Sequence, residues 1–214
     1  MTPNEIITEV RRLIQDTKVT YRYSDAIMLG WVNQTLKRTA VLRPDLFGVI
    51  GDIATTPNVV LQSTPSDSLR LIQIFQVKNG DAVTEVDREV FDQTYPGWVN
   101  EAAGTPVNFM RHVRNPNKFF VYPRPTSGVI LVGEYAQVPP DYALNDTIAL
   151  IPEAYFPVLI DGVVFLAESV DDEHVNSQRA ALFQKNYTEA LGASVSNRVV
   201  TDTKQAGMDR KQVI

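Results

Sequence analysis

The sequence predicts an α+β protein: a helical bundle of about four helices, an inserted antiparallel β domain and an extended C-terminal arm. Three observations predict it. The hydrophobic period is near 3.6 residues at both flanks and two in the middle. Ten of the 13 prolines fall between Pro44 and Pro140, where a helix would be broken. The stretch AYFPVLIDGVVFLA, residues 154–167, carries one charge, Asp161, and is otherwise apolar round the helical wheel. A helix apolar on every side is buried on every side. It is too short, and too interrupted by Pro157, Asp161 and Gly162, to span a bilayer.

The expected domains are 1–43 with 147–192 as the helical part, 44–146 as the inserted β domain, and 193–214 as the arm. Thr2-Pro3-Asn4-Glu5 opens the first helix as a capping box with proline at the first position. Ile6, Val10, Leu13 and Ile14 form its apolar stripe. Ser24 caps a second helix with Leu29, Val32, Leu36 and Ala40 at helical spacing. Arg11, Arg12, Lys37 and Arg38 are placed on or beside polar faces. Pro44 ends this helix.

Seven strands are expected, at 49–54, 58–62, 69–77, 82–86, 107–113, 118–122 and 129–137. Asn79-Gly80 reads as a tight hairpin turn with positive φ at both residues. Two more turns fall at Asn115-Pro116-Asn117 and at Pro125-Thr126-Ser127-Gly128. Short strands with regular turns describe a small sandwich or barrel-like sheet. Residues 87–95 read as a short helix or a long loop, and Tyr95-Pro96-Gly97-Trp98 as an aromatic-anchored loop. In the central helix, Leu159, Val163 and Leu166 are expected against the first two helices. A fourth helix carries Ala180, Phe183, Tyr187 and Leu191 on one stripe and stops near Gly192.

Composition excludes several functions. The chain of 214 residues has no cysteine, so disulfides, thiolate metal sites and cysteine nucleophiles are absent. Its net charge of −5 gives no whole-chain attraction to nucleic acid. The N-terminus lacks the basic region and apolar run of a signal peptide. His112 and His174 are the only histidines. Acidic residues 171–173 before His174 read as a solvated helix start rather than metal ligands. No phosphate-binding loop, dinucleotide fingerprint or nucleophile elbow occurs. No catalytic residue, cofactor or metal is therefore expected. Arg111–Lys118 with Phe109 and Phe119 is weighed as a nucleic-acid contact and read instead as a solvated edge with core-facing aromatics. Asp161 is read as a core carboxylate that Arg12 or Arg38 can pair.

The C-terminal 22 residues lack aromatics and period, and carry four cations against two acids. Such a segment is expected to be disordered alone and to order on a partner. Ordering costs ~1–2 kcal/mol of backbone entropy per residue, so contacts must offset it. Val199, Val200, Met208, Val213 and Ile214 can supply apolar contacts, and Arg198, Arg210 and Lys211 charged ones.

Five segments in this order resemble the head-to-tail adaptor proteins of tailed phages, the family that includes the tail tubular protein A of short-tailed phages. They are Trp31-Val32-Asn33, Leu42-Arg43-Pro44-Asp45-Leu46-Phe47, Leu69-Arg70-Leu71-Ile72, Phe119-Phe120-Val121-Tyr122-Pro123, and residues 151–170 followed by Asp171-Asp172. The resemblance implies a structural virion protein, not an enzyme, at the head-to-tail interface and in the host cytoplasm during assembly. It implies a ring, usually of twelve copies, between the portal protein and a downstream tail or nozzle protein. It further implies that the C-terminal arm reaches the portal and that genomic DNA passes through without specific binding. The sequence leaves open a ligand- or carbohydrate-binding β module on a helical base, with Tyr95 and Trp98 as its platform, and a hydrolase using carboxylates of the β domain.

Overall fold

The computed structural model describes residues 1–18, 20–170 and 177–192. The chain divides into two compact units: Met1–Arg43 with the chain from Pro139 onward, and Pro44–Val138. The boundary falls at 138/139 rather than at 146.

The helical unit begins with α1 (Pro3–Leu13) and α2 (Asp25–Leu42). The capping box forms as expected: Thr2 Oγ1 accepts from Glu5 N at 3.3 Å, and Glu5 Oε2 accepts from Thr2 N at 2.7 Å. Ser24 caps α2 by accepting from Ile27 N. Ile6, Ile7 and Val10 are buried on α1, and Met28, Val32, Leu36 and Ala40 on α2. Val32, Leu36 and Ala40 are thus buried as expected; Met28 takes the first place in the row, and Leu29 lies on its flank, half-buried. Thr35 and Thr39 join that row. A search for apolar residues misses them because their hydroxyls look polar.

Arg11 is not on a polar face. It is 6% exposed, and its guanidinium donates to Asp16 at 2.7 Å, to Asp25 at 2.8 Å and to the Tyr23 carbonyl at 2.8 Å. Three acceptors satisfy a charge whose burial would otherwise be costly.

Two further helices are described in the helical unit. α4 (Phe156–Glu168) packs on both α1 and α2. Leu159 and Val163 are buried, but Leu166 is only half-buried. α5 covers residues 177–192 and buries Ala180, Tyr187 and Leu191. Gly162 sets the helix spacing: a Cβ there would stand 2.5 Å from Thr35 Cγ2 and 3.0 Å from the Tyr187 ring. The acidic run 171–173, His174 and the arm 193–214 lie outside the described residues.

The second unit holds seven strands and α3 (Arg88–Thr94). β1 (Gly48–Ala54), β7 (Ile130–Gln137) and β3 (Ser68–Val77) form one antiparallel sheet with β7 central. β2 (Leu61–Ser63), β6 (Lys118–Tyr122), β5 (Asn108–Arg111) and β4 (Thr84–Glu85) form the other. The β4–β5 pair is parallel, so the second sheet is mixed and not wholly antiparallel. Phe109, Phe119 and Val121 face Ile53, Leu71, Ile74 and Leu131 across a shared core. This is a small two-sheet sandwich.

β3 departs from the two-residue period. Its buried positions recur every third residue, Ser68, Leu71, Ile74 and Val77. Three register shifts against β7 produce that spacing, since each bulge adds an unpaired residue. Gly133 permits the close approach, because a Cβ there would lie 2.6 Å from the Gln73 carbonyl oxygen. At the β3 end, only Asn79 takes positive φ, at 58°, so the turn is not the tight form expected. Gly80 N instead donates to Val77 O, closing a β-turn centred one residue earlier on Lys78-Asn79, and Val77 N donates to Asp81 O.

The second sheet is apolar on both faces. Met110, Phe120 and Tyr122 alternate with the core residues and pack under Phe91 and Trp98. Successive side chains point to opposite faces, so an unbroken apolar run such as Phe119-Phe120-Val121 is the sequence signal for a strand buried on both.

Candidate functional site

Trp98 is 2% exposed and its indole N–H donates to Asp92 at 2.7 Å. It stands edge-on to Phe91, Phe120 and Tyr122. A sugar-binding platform requires an open ring face, so the proposed Tyr95–Trp98 platform does not exist in this form. Tyr95 is partly exposed but donates its hydroxyl to Glu101. That bond, together with one to Tyr122, raises its phenol well above the ordinary value.

Phe109 and Phe119 are fully buried in the sandwich core, leaving no stacking surface beside Arg111–Lys118. His112 serves the turn: its Nδ1 accepts from Arg114 N at 3.2 Å and from Asn115 N at 3.0 Å, and its ring stacks on Phe120. Among the described residues, no three His, Asp or Glu side chains are grouped to hold a metal. Asp161 is half-buried and has no partner among the described residues; Arg12 pairs with Glu9, and Arg38 lies over the Phe165 ring. Burial pushes its carboxyl above the ordinary value.

Among the described residues, three surfaces stand out. The first is a groove of about 930 Å³ along α2 and α5, lined by Leu29, Gly30, Val41, Leu42, Phe165 and Tyr187 among others. Val41 is 70% exposed there. Lys37 and Asp141 form an ion pair of 2.6 Å at one edge. Beneath the groove, Thr39 Oγ1 and Tyr187 Oη lie 2.9 Å apart, and Thr39 donates to the Thr35 carbonyl. At the end of α5, Arg43 Nη1 donates to the Leu191 carbonyl at 3.1 Å. A cation there also complements the helix dipole.

The second surface is a concavity of about 670 Å³ between α1 and the start of α4. Ala154, Phe156 and Pro157 form its apolar part, and Glu5, Glu9 and Glu153 its rim. The third is the β5–β6 hairpin tip, with Val113 at its apex and a small cleft of about 250 Å³ at its side. Sequence reasoning named the cations of that hairpin but neither the groove nor the acidic concavity. Both are assembled from segments distant in the chain.

The eight residues expected to bind a partner, Arg198, Val199, Val200, Met208, Arg210, Lys211, Val213 and Ile214, all lie outside the described residues. The structure therefore does not place them. No described helix is long and apolar enough to cross a membrane.

No curated protein matches the chain. A family model does, that of the SU10 adaptor protein, and it aligns with residues 1–210. The match spans both units. The chain belongs to the SU10 adaptor protein family, whose members are structural adaptors of phage virions.

Proposed function

We propose that the protein forms a ring, of about twelve copies in the manner of the adaptors it resembles, between the portal and the tail. Family membership over nearly the whole chain carries this reading. The exposed apolar groove along α2 and α5 supports it, since a finished monomer surface rarely leaves such a patch open. The ring contributes to the DNA channel, and its net acidic charge lets DNA pass without specific binding. A downstream tail or nozzle protein binds the far side. Assembly takes place in the host cytoplasm and ends in the virion.

In this reading the arm 193–214 attaches to the portal. Its four cations against two acids, and its spaced apolar residues, support a partly electrostatic docking. Portal binding should then weaken as salt rises. The decisive measurement is native mass spectrometry with and without portal. A high-order ring, lost from portal-bearing capsids when 193–214 is deleted, is the expected result. A chain that stays monomeric beside the portal, or a truncated chain that attaches as well as the full one, would overturn it.

A further inference from the structure

We infer that the β5–β6 hairpin tip of one copy docks into the concavity between α1 and α4 of the next. The inference rests on the ring reading and assigns it a contact. It begins from charge segregation. Residues 44–138 contain seven cations and ten acids, yet five of the seven, Arg70, Arg88, Arg111, Arg114 and Lys118, belong to this end of the sandwich or to the helix beside it. Arg111 is held by Glu85 at 2.6 Å and Arg88 by Asp92 at 3.4 Å. Arg70, Arg114 and Lys118 are exposed and have no carboxylate partner among the described residues.

The tip is built to hold its shape. His112 Nδ1 ties down two backbone N–H groups, and Asn115 Oδ1 accepts from Asn117 N at 3.0 Å. Asn117 Nδ2 donates to the Ser68 carbonyl, and Leu71 N donates to the Pro116 carbonyl at 2.9 Å. The loop is thus fastened to β3. On this frame Val113 stands 93% exposed. A rigid apolar knob with free cations round it loses little entropy on docking.

The concavity on the helical unit is its complement. Phe156, Pro157 and Ala154 offer apolar contact for Val113. Glu153 leaves its carboxylate at the rim, Glu5 spends one oxygen on Thr2 N at 2.7 Å in the capping box and leaves the other, and Glu9 is shared with Arg12 at 2.8 Å. Glu153 has no partner among the described residues. Knob and socket are different patches of one chain, so their contact is head-to-tail, the kind that builds a ring when its rotation closes. Duplex DNA is the other polyanion the cations could meet, but its backbone gives no role to an exposed valine on a rigid tip.

The absence of cysteine makes the test clean. The full-length chain carrying Val113→Cys and Ala154→Cys, both exposed positions, should give an intermolecular disulfide ladder on oxidation. Chains carrying one change each, differently tagged and mixed, should give the mixed dimer. Adding Arg114→Glu and Lys118→Glu should cut the cross-linked yield about tenfold, what two reversed rim charges amount to. A native ring without a ladder would overturn this contact and leave the ring standing. A mixed dimer without any ring would do the reverse. A ladder indifferent to the charge reversals, with retention of duplex DNA lost instead, would also overturn it.

Discussion

Asn33 and Tyr142 are matched in both directions: the Asn33 amide donates to the Tyr142 carbonyl at 3.1 Å and accepts from the Tyr142 N–H at 3.0 Å. The pair fastens the chain re-entering the helical unit after Pro139 to the middle of α2. Asn33→Leu leaves a backbone donor and acceptor unpaired. We expect a loss of ~1–3 kcal/mol in urea unfolding. A change below half of the lower bound would mean that water replaces the side chain.

Gly162 and Gly30 give opposite expectations from the same substitution. Gly162→Ala forces a methyl against Thr35 and the Tyr187 ring and should cost ~1–3 kcal/mol by overpacking. At Gly30, inside α2, an added Cβ meets nothing within 4 Å. Gly30→Ala should stabilise by ~0.5–1 kcal/mol through helix propensity. Melting curves of the two variants should therefore move to opposite sides of the parent.

Removing Arg11 strands its partners. Arg11→Ala leaves the buried Asp16 carboxylate without its guanidinium, and a loss of ~3–5 kcal/mol is expected. Arg12→Ala, next in sequence but paired with Glu9 in the open, should cost under ~1 kcal/mol. Similar losses for the two would refute the assignment of Arg11 to the interior.

Asp161 makes a pH prediction. Burial raises its folded-state value above that of the unfolded chain, so its protonated form is favoured by folding. That contribution is present below the unfolded value, 3.8, and is lost as pH rises through the folded one. Asp161→Asn should therefore raise the melting temperature at pH 7, and the advantage should vanish as pH falls below the carboxylate range. Solvent screening of a half-exposed group keeps the gain below ~1 kcal/mol. An advantage that persisted at pH 3 would point to packing instead.

Local signals were legible and distant ones were not. The capping pairs Thr2–Glu5 and Ser24–Ile27 act within three residues, and the sequence states them directly. Strand positions followed from short-range alternation, with β6 recovered at Lys118–Tyr122. Thr39 was unreadable as core because its partner, Tyr187, lies 148 residues away. Trp98 looked available because aromatic loops often are; Phe91, Phe120 and Tyr122 cover it only once the second sheet has formed. The three-residue period of β3 depends on its pairing with β7, which strand propensity does not encode. Of the candidate surfaces, the cationic hairpin is contiguous and could be seen, whereas the groove joins α2 to α5 and could not.

The Arg43–Leu191 hydrogen bond has a mechanical meaning. It joins the last residue before the sandwich to the last turn of α5, where the chain leaves for residues 193–214. Traction on that departing chain does not act on a helix free to unwind. It is carried into α2 at two points, Arg43 and, through Tyr187, Thr39. Peeling α5 away would require both contacts to break together, so under the proposed portal attachment a load on residues 193–214 would be shared between α5 and α2.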